Sequence, residues 1–130
     1  MEEMILCDTS VMVSFYRGDA EIINVLKTIG QSAITLNTVI AGELIFGARN
    51  KHELNTLQKD ISSLRVLPIN EEISVKSLEL LGQFSLSHHH SLPDSLIAAT
   101  SLFYKIPLYT LNLKDFRYIP DLVLFEPPVH

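Results

Sequence analysis

The sequence predicts an α/β protein, a three-layer α/β/α domain built on a central parallel sheet of four or five strands. Short apolar runs with the length of strands alternate with longer segments in which apolar residues recur at helical spacing. Capping and turn residues separate these segments. The 130-residue chain contains no internal repeat and no linker, so we expect one domain over residues 1–130.

The first half of the chain is expected to hold two strands, a helix directly after the first strand, and three further helices. Residues 5–8 form a short apolar run that ends in Asp8, which is typical of a buried strand. Asp19 is the predicted N-cap of a helix that extends to Gly30. A second strand is predicted over 33–36. It is followed by a helix from Asn37 or Thr38 to about residue 48 and by another over 53–64.

The second half should complete the sheet. An apolar run over 66–69 predicts a third strand, and Asn70 is the predicted N-cap of a helix that extends to about residue 85. Pro93 suits the first turn of the next helix, whose apolar surface around Ala98 and Ala99 predicts core packing. The last strands are predicted over 108–111 and 122–125.

The composition argues against some classes of function and indicates where the protein is located. The net charge of −5 argues against a broad basic surface for nucleic acid, but not against an enzyme that meets phosphates through bound metal ions. No apolar run reaches the ~20 residues that span a bilayer, so no membrane association is expected. A single cysteine, Cys7, fits a reducing compartment and a cytoplasmic location, and we interpret it as a small buried hydrophobe.

Four acidic residues lie against or inside apolar segments, where an unpaired charge would be costly: Asp8, Glu43, Asp94 and Asp115. No Lys or Arg near them in the sequence is an evident partner. Asp8 and Asp115 follow strands, and Asp94 lies in the first turn of a helix, so all three should reach the carboxyl edge of the sheet. Glu43 is expected on an inward-packed helix face. A shared Mg²⁺ or Mn²⁺ is the simplest explanation, because these cations prefer oxygen ligands.

Such a metal site would suit phosphodiester hydrolysis, because bound divalent ions activate water and stabilise the leaving oxygen. The neighbouring polar side chains are predicted to support the acids by orienting water or ligands: Thr9, Ser10, Thr110 and Asn112. Each acid also has an ordinary structural interpretation. Asp8 or Asp115 could serve as a cap, and Asp94 could complement a helix dipole.

The acids stand within segments that resemble those of the PIN-domain nucleases, and most closely the VapC-type toxins of bacterial toxin–antitoxin pairs. These segments are Asp8-Thr9-Ser10, Glu43-Leu44, the run Pro-Asp-Ser-Leu-Ile-Ala-Ala-Thr over 93–100, and the run Thr-Leu-Asn-Leu-Lys-Asp-Phe over 110–116. The resemblance extends over essentially the whole chain. It implies a metal-dependent endoribonuclease that acts on RNA, forms a homodimer and is blocked by a cognate antitoxin protein.

Carried over position by position, the resemblance assigns the metal site of the family to Asp8, Glu43, Asp94 and Asp115. Leu111 departs from the pattern, because many relatives have Arg before the Asn. This change should weaken a substrate contact or alter antitoxin pairing without touching the metal ligands.

Two other functions remain open at this stage. The first is phosphotransfer through an aspartyl-phosphate, since such enzymes also place an Asp after a strand. The haloacid-dehalogenase pattern needs a second Asp two residues later, where this chain has Ser10. The second is a non-catalytic binding module with a PIN-like fold. The run His88-His89-His90 is interpreted as a solvated loop near the site rather than as a metal tract.

Overall fold

The computed structural model describes residues 3–128, and the first two and last two residues of the predicted domain lie outside this range. The described chain has a four-stranded parallel sheet. Its strands are β1 (Ile5–Cys7), β2 (Ile34–Asn37), β3 (Arg65–Leu67) and β4 (Leu108–Tyr109). They lie in the order β3-β2-β1-β4. The predicted parallel sheet is therefore confirmed.

Six α-helices and one short 3-10 turn connect the strands. The helices are α1 (Thr9–Tyr16), α2 (Ala20–Ile29), α3 (Thr38–Phe46), α4 (Lys51–Ser62), α5 (Glu71–His88) and α6 (Leu92–Tyr104), and the 3-10 turn is Leu113–Asp115. Crossovers between parallel strands are right-handed almost without exception. With this strand order, that rule puts α1 to α4 on one face of the sheet and α5 and α6 on the other, which is the predicted three-layer arrangement.

Each of the six helices begins at a side chain that accepts a hydrogen bond from a backbone N–H of the first turn: Asp8, Asp19, Asn37, Asn50, Asn70 and Ser91. The predicted caps Asp19, Asn37 and Asn70 are confirmed. The prediction did not identify Asn50 and Ser91 as caps, so it started α4 two residues late and α6 one residue late. Such caps contribute about 1 kcal/mol each, which is why they mark helix starts so consistently.

Several predicted ends are wrong by a few residues. The helix predicted to end near residue 85 continues to His88 and stops where His89 takes a left-handed conformation, with φ of 53°. The third strand ends at Leu67 because Pro68 has no N–H to donate to the ladder. The predicted last strand over 122–125 makes a single parallel bridge, between Leu124 and Leu108.

The strand order reverses at β1. The chain moves from β1 to β2 and β3 on one side, and it returns through α5 and α6 to β4 on the other side. In open α/β sheets, ligands bind outside the carboxyl ends of the strands at such a switch point. The crevice between the ends of β1 and β4 is therefore the position at which this topology favours a functional site.

The core lies on both faces of the sheet. Leu6 in β1 and Leu108 in β4 are fully buried, and Ala98 and Ala99 are fully buried in α6, as predicted. Cys7 is also fully buried, and this burial raises the pKa of its thiol to about 12, so the thiol stays protonated and packs as a small hydrophobe. Among the described helices, none is long and apolar enough to span a membrane.

Candidate active site

Asp8 stands at the switch point, directly after β1, and is 4% exposed. Its Oδ1 accepts a hydrogen bond from the Thr9 N–H at 2.8 Å. Its Oδ2 accepts from the Ser10 hydroxyl at 3.1 Å and from the Thr110 hydroxyl at 2.7 Å. The hydroxyl of Thr110 thus ties the end of β4 to the end of β1 and fixes the orientation of this carboxylate.

Burial raises the pKa of Asp8, because removal from water disfavours the charged form. The hydrogen bonds from Thr110, Thr9 and Ser10 oppose this shift, and the nearby charge of Glu43 adds to it. The hydrogen bonds therefore fix the orientation of a carboxylate whose charged form is disfavoured by burial. This combination is frequent at functional sites.

Glu43 lies in the second turn of α3, and its Oε1 accepts a hydrogen bond from the Thr9 hydroxyl at 2.6 Å. The prediction that this residue packs inward is wrong, because Glu43 is solvent-exposed. The buried side of α3 consists of Ile40, Ala41 and Leu44, which leaves Glu43 at the margin of that side. Phe46, three residues further along α3, is 92% exposed.

Asp94 occupies the first turn of α6, where its N–H donates to the hydroxyl of the capping Ser91 at 3.2 Å. The pKa of Asp94 is raised to about 6, first by burial and then by the charges of Asp8, Asp115 and Glu43. A hydrogen bond with the Ser91 side chain opposes this shift. Three carboxylates therefore act on the fourth, and the four acids share one electrostatic environment.

Asp115 ends the 3-10 turn that follows β4 and is half-buried. Its N–H donates to the Asn112 carbonyl at 3.0 Å. The Asn112 N–H in turn donates to the Thr110 hydroxyl at 3.0 Å. The Leu111 N–H donates to the Ser10 hydroxyl at 3.1 Å. These bonds bend the chain after β4 back toward Asp8, so Asp115 stays at the same sheet edge.

The four supporting residues predicted from the sequence take different positions. Thr9, Ser10 and Thr110 contact the acids through their hydroxyls, whereas Asn112 joins the network through its backbone N–H. Asn37 forms a connection between two helices that the sequence did not suggest. Its side chain caps α3, which carries Glu43, and donates to the Thr100 hydroxyl of α6 at 3.0 Å.

The donor set suits a hard divalent cation, because all four side chains offer carboxylate oxygens. Among the described residues, however, no three His, Cys, Asp or Glu side chains already form a group that could hold an ion. Mg²⁺ usually binds through one or two carboxylates and keeps several of its waters. The arrangement therefore fits a cation held by a subset of these acids through water, rather than one enclosed in a complete protein cage.

The histidine run differs from its predicted role as a solvated loop. His88 and His89 are both exposed, but only His89, the C-cap of α5, lies outside the helix. His90 is 4% exposed, and the ring of His88 stacks on Tyr118 with a centroid distance of 3.9 Å. Sequence reasoning missed Tyr118 and Ser91. The spacing Ser91-x-x-Asp94, a capping-box signal, could have identified Ser91, but no local pattern marks Tyr118.

A groove of about 450 Å³ begins beside Glu43 and runs between α1, α3 and α4. Its lining includes Arg17, Arg49 and His52 together with apolar side chains. The Arg49 guanidinium is paired with Glu53 at 3.2 Å. The acidic site thus continues on one side into a groove of mixed polarity.

Comparison with known proteins bears on the family of this chain. A model of the PIN domain family matches residues 5–122. A ribonuclease VapC of Rickettsia bellii is 28% identical over 96% of this chain and 97% of its own length. The ribonuclease VapC19 of Mycobacterium tuberculosis is 31% identical over 96% of this chain and 99% of its own.

Among solved structures, a toxin–antitoxin complex from Klebsiella pneumoniae contains a chain similar to this one, with a TM-score of 0.78. Its identity is 25%, and the match covers 92% of this chain and 95% of that chain. The fold, the family model and the relatives agree with the resemblance found in the sequence. The chain therefore belongs to the PIN domain family, in which it is similar to the VapC-type ribonucleases.

Proposed function

We propose that this protein is a Mg²⁺- or Mn²⁺-dependent endoribonuclease and the toxin of a toxin–antitoxin pair. The observation that carries the proposal is the position of Asp8 and Glu43 at the sheet edge that the topology favours, where neighbouring hydroxyls orient both carboxylates. The pKa of Asp94, raised to about 6 by burial and by three neighbouring carboxylates, agrees with a site that gathers these acids. Four acids from four separate segments have little structural reason to gather there, whereas a divalent cation offsets their repulsion.

The proposed reaction is hydrolysis of an RNA phosphodiester. The oxygen of a water forms a bond to phosphorus, the bond from phosphorus to a ribose oxygen breaks, and that oxygen receives a proton. A divalent cation bound at the four acids would activate the water and neutralise charge on the phosphate. The cation would lie among Asp8, Glu43, Asp94 and Asp115, bound directly by some of them and through water by the others. An acidic chain could then bind a polyanion.

The supporting hydroxyls orient the ligands in this proposal. Ser10 and Thr110 donate to Oδ2 of Asp8, and Thr9 donates to Oε1 of Glu43, so neither carboxylate has to be ordered when a cation binds. Asp94 takes up a proton at its carboxyl as the pH falls through about 6, which would compete with the cation. We therefore expect activity to fall below about pH 6.

An antitoxin partner is proposed from similarity. The structure from Klebsiella pneumoniae is described as a toxin–antitoxin complex, and the relatives are named ribonuclease VapC. Large apolar side chains such as Phe46 and Leu86 are more than nine-tenths exposed, which suits a protein that binds other protein chains. Exposed apolar side chains of this kind are also compatible with the proposed homodimer. Leu111, 47% exposed, should favour an antitoxin with an apolar group opposite it.

The test measures cleavage of a structured RNA by purified protein with Mg²⁺ or Mn²⁺, with and without a chelator. Asp94→Asn should reduce cleavage at least 100-fold, since it removes a ligand and a charge. Asp121→Asn is the matched control. It makes the same chemical change at an exposed residue with φ of 67°, a conformation that Asn also adopts.

Cleavage by Asp94→Asn at the rate of the unaltered protein would refute the assignment and indicate a contaminating nuclease. Chelator-resistant cleavage would contradict the metal dependence. Binding of Mn²⁺ without cleavage of any RNA would favour a non-catalytic PIN-like module. Stable modification of Asp8 by beryllofluoride would favour phosphotransfer, although its burial and three hydrogen bonds argue against a free nucleophile.

A further inference from the structure

A partly buried aromatic cluster lies beside the acidic site, and it contains a hydrogen bond between two side chains. The Tyr118 hydroxyl and Nδ1 of His90 are 2.7 Å apart. Tyr118 also stacks on His88 and contacts the ring of Phe84, with a centroid distance of 5.0 Å. The hydrogen bond between His90 and Tyr118 is therefore flanked by the rings of Phe84 and His88.

The bond joins the two segments that carry Asp94 and Asp115. His90 is in the turn between α5 and α6, four residues before Asp94. Tyr118 follows the 3-10 turn, three residues after Asp115. These two segments come from different parts of the chain, and the bond ties them together next to their acids.

Electrostatics places the bond close to both carboxylates. Burial raises the pKa of the Tyr118 hydroxyl, and the charges of Asp94 and Asp115 raise it further. Burial lowers the pKa of His90, as does the charge of His88, while Asp115 opposes the shift. His90 is therefore neutral near pH 7, and its contact with Tyr118 is a hydrogen bond between two uncharged groups.

Packing alone does not account for a histidine at this position. Nε2 of His90 is buried and has no hydrogen-bond partner among the described residues. An unpaired buried nitrogen lowers stability, and an apolar side chain would avoid that loss. A histidine at position 90 is explained if the hydrogen bond at Nδ1 has a function that an apolar side chain could not perform.

Repulsion between the acids provides such a use. Without a cation, Asp94 and Asp115 repel each other, and the chain between β4 and residue 121 contains only the short 3-10 turn. Phe116 and Ile119 anchor this segment in the core, so the repulsion acts chiefly on its half-buried part, which carries Asp115. A hydrogen bond across the two segments opposes this separation.

We propose that the His90–Tyr118 bond positions Asp94 and Asp115 for cation binding, so that both residues are positioning residues rather than ligands. This inference rests on the proposed function, because it assumes that these acids hold a cation. Side chains that orient metal ligands from outside the coordination sphere change metal affinity by roughly 10- to 100-fold when they are removed.

The test uses Tyr118→Phe, which removes the hydroxyl and keeps the ring on His88. Isothermal titration with Mn²⁺ alone should show affinity weaker by about tenfold or more. Tyr104→Phe is the matched control, since it removes the same group from the far end of α6, the helix that carries Asp94. The control should bind Mn²⁺ as the unaltered protein does.

A second variant separates positioning from general loss of stability. His90→Phe breaks the same bond from the other side, so His90→Phe combined with Tyr118→Phe should lose no more affinity than either change alone. His90→Asn keeps a polar atom near the position of Nδ1 and should retain part of the affinity. A Tyr118→Phe protein that binds Mn²⁺ within twofold of the unaltered protein would overturn the inference, whatever its melting temperature.

Hydrogen exchange in metal-free protein distinguishes failure of this inference from failure of the proposed function. The N–H groups of Asp115, Phe116 and Arg117 donate within the segment that the bond holds, and Tyr118→Phe should make them exchange faster. If the unaltered protein binds no Mn²⁺, the proposed metal site is wrong. Unchanged exchange at these three amides would instead show that the bond does not hold the segment.

Discussion

Asp94→Asn should stabilise the metal-free fold at neutral and alkaline pH even though it removes a proposed ligand. The carboxyl of Asp94 has its pKa raised from 3.8 to about 6, first by burial and then by Asp8. The folded state therefore disfavours the charged form relative to the unfolded chain. Asparagine keeps the shape of the side chain and carries no charge, so it removes this penalty.

The magnitude follows from the two pKa values. A change from 3.8 to about 6 corresponds to roughly 3 kcal/mol at a pH above both values. Asp94 is only half-buried, so solvent screens part of this free energy. Its position in the first turn of α6 also favours a negative charge through the helix dipole. We therefore expect a gain of about 1–2 kcal/mol in the free energy of unfolding.

The sign of the pH dependence is fixed by the direction of the shift. Because the folded pKa is higher than the unfolded pKa, the contribution of Asp94 to stability is fully present below about pH 4. It is lost as the pH rises through about 6. The difference between Asp94→Asn and the unaltered protein should therefore be about a third of its full value at pH 4.5 and should reach its full value near pH 7.

Urea denaturation in the presence of a chelator, at several pH values from 4.5 to 8, measures this difference. Asp121→Asn again serves as the control, and its difference from the unaltered protein should not vary with pH in this way. With excess Mn²⁺ the order should reverse, because only the unaltered site gains the free energy of ion binding. A stability difference for Asp94→Asn that stays constant across the range would refute the reasoning.

Three further predictions concern other parts of the site. Thr110→Val should lower the free energy of unfolding at pH 7 by about 1.5–3 kcal/mol, because the buried carboxylate of Asp8 loses a charge-assisted hydrogen bond. Urea denaturation measures this change, and Thr56→Val, at an exposed threonine, is the control. Glu43→Gln keeps an acceptor for Thr9, so it should reduce RNA cleavage while stability changes by no more than about 0.5 kcal/mol. Mn²⁺ at 100 times its dissociation constant should stabilise the unaltered protein by about 2.7 kcal/mol in thermal denaturation, and no shift in melting temperature would contradict the metal site.

Much of the fold follows from short-range signals. The caps Asp19, Asn37 and Asn70 and the apolar periodicity predicted the α/β class, because capping and amphipathicity act over a few residues. The predicted ends of strands and helices were less accurate where they depend on tertiary contacts. The run over 122–125 has the composition of a strand, but only Leu124 forms a bridge.

In the candidate site, too, the features that depend on local sequence were predicted correctly and those that depend on tertiary contacts were not. The positions of Asp8, Asp94 and Asp115 after strands or at a helix start were enough to predict one shared edge, and their mutual effect on pKa agrees with this. Glu43 was misjudged because its helix is apolar on nearly all sides. Helical periodicity could not identify the side that faces the core, since contacts with other elements decide that.

Local pattern alone thus established the fold class, most helix starts and the segments that carry the four acids, because those features depend on neighbours a few residues apart. The strand order that creates the switch point, the exposure of Glu43 and the burial of His90 depend on contacts between distant segments. The bond between His90 and Tyr118 spans 28 residues of sequence. Such pairings leave no periodic trace in the chain, so the three-dimensional arrangement alone reveals them.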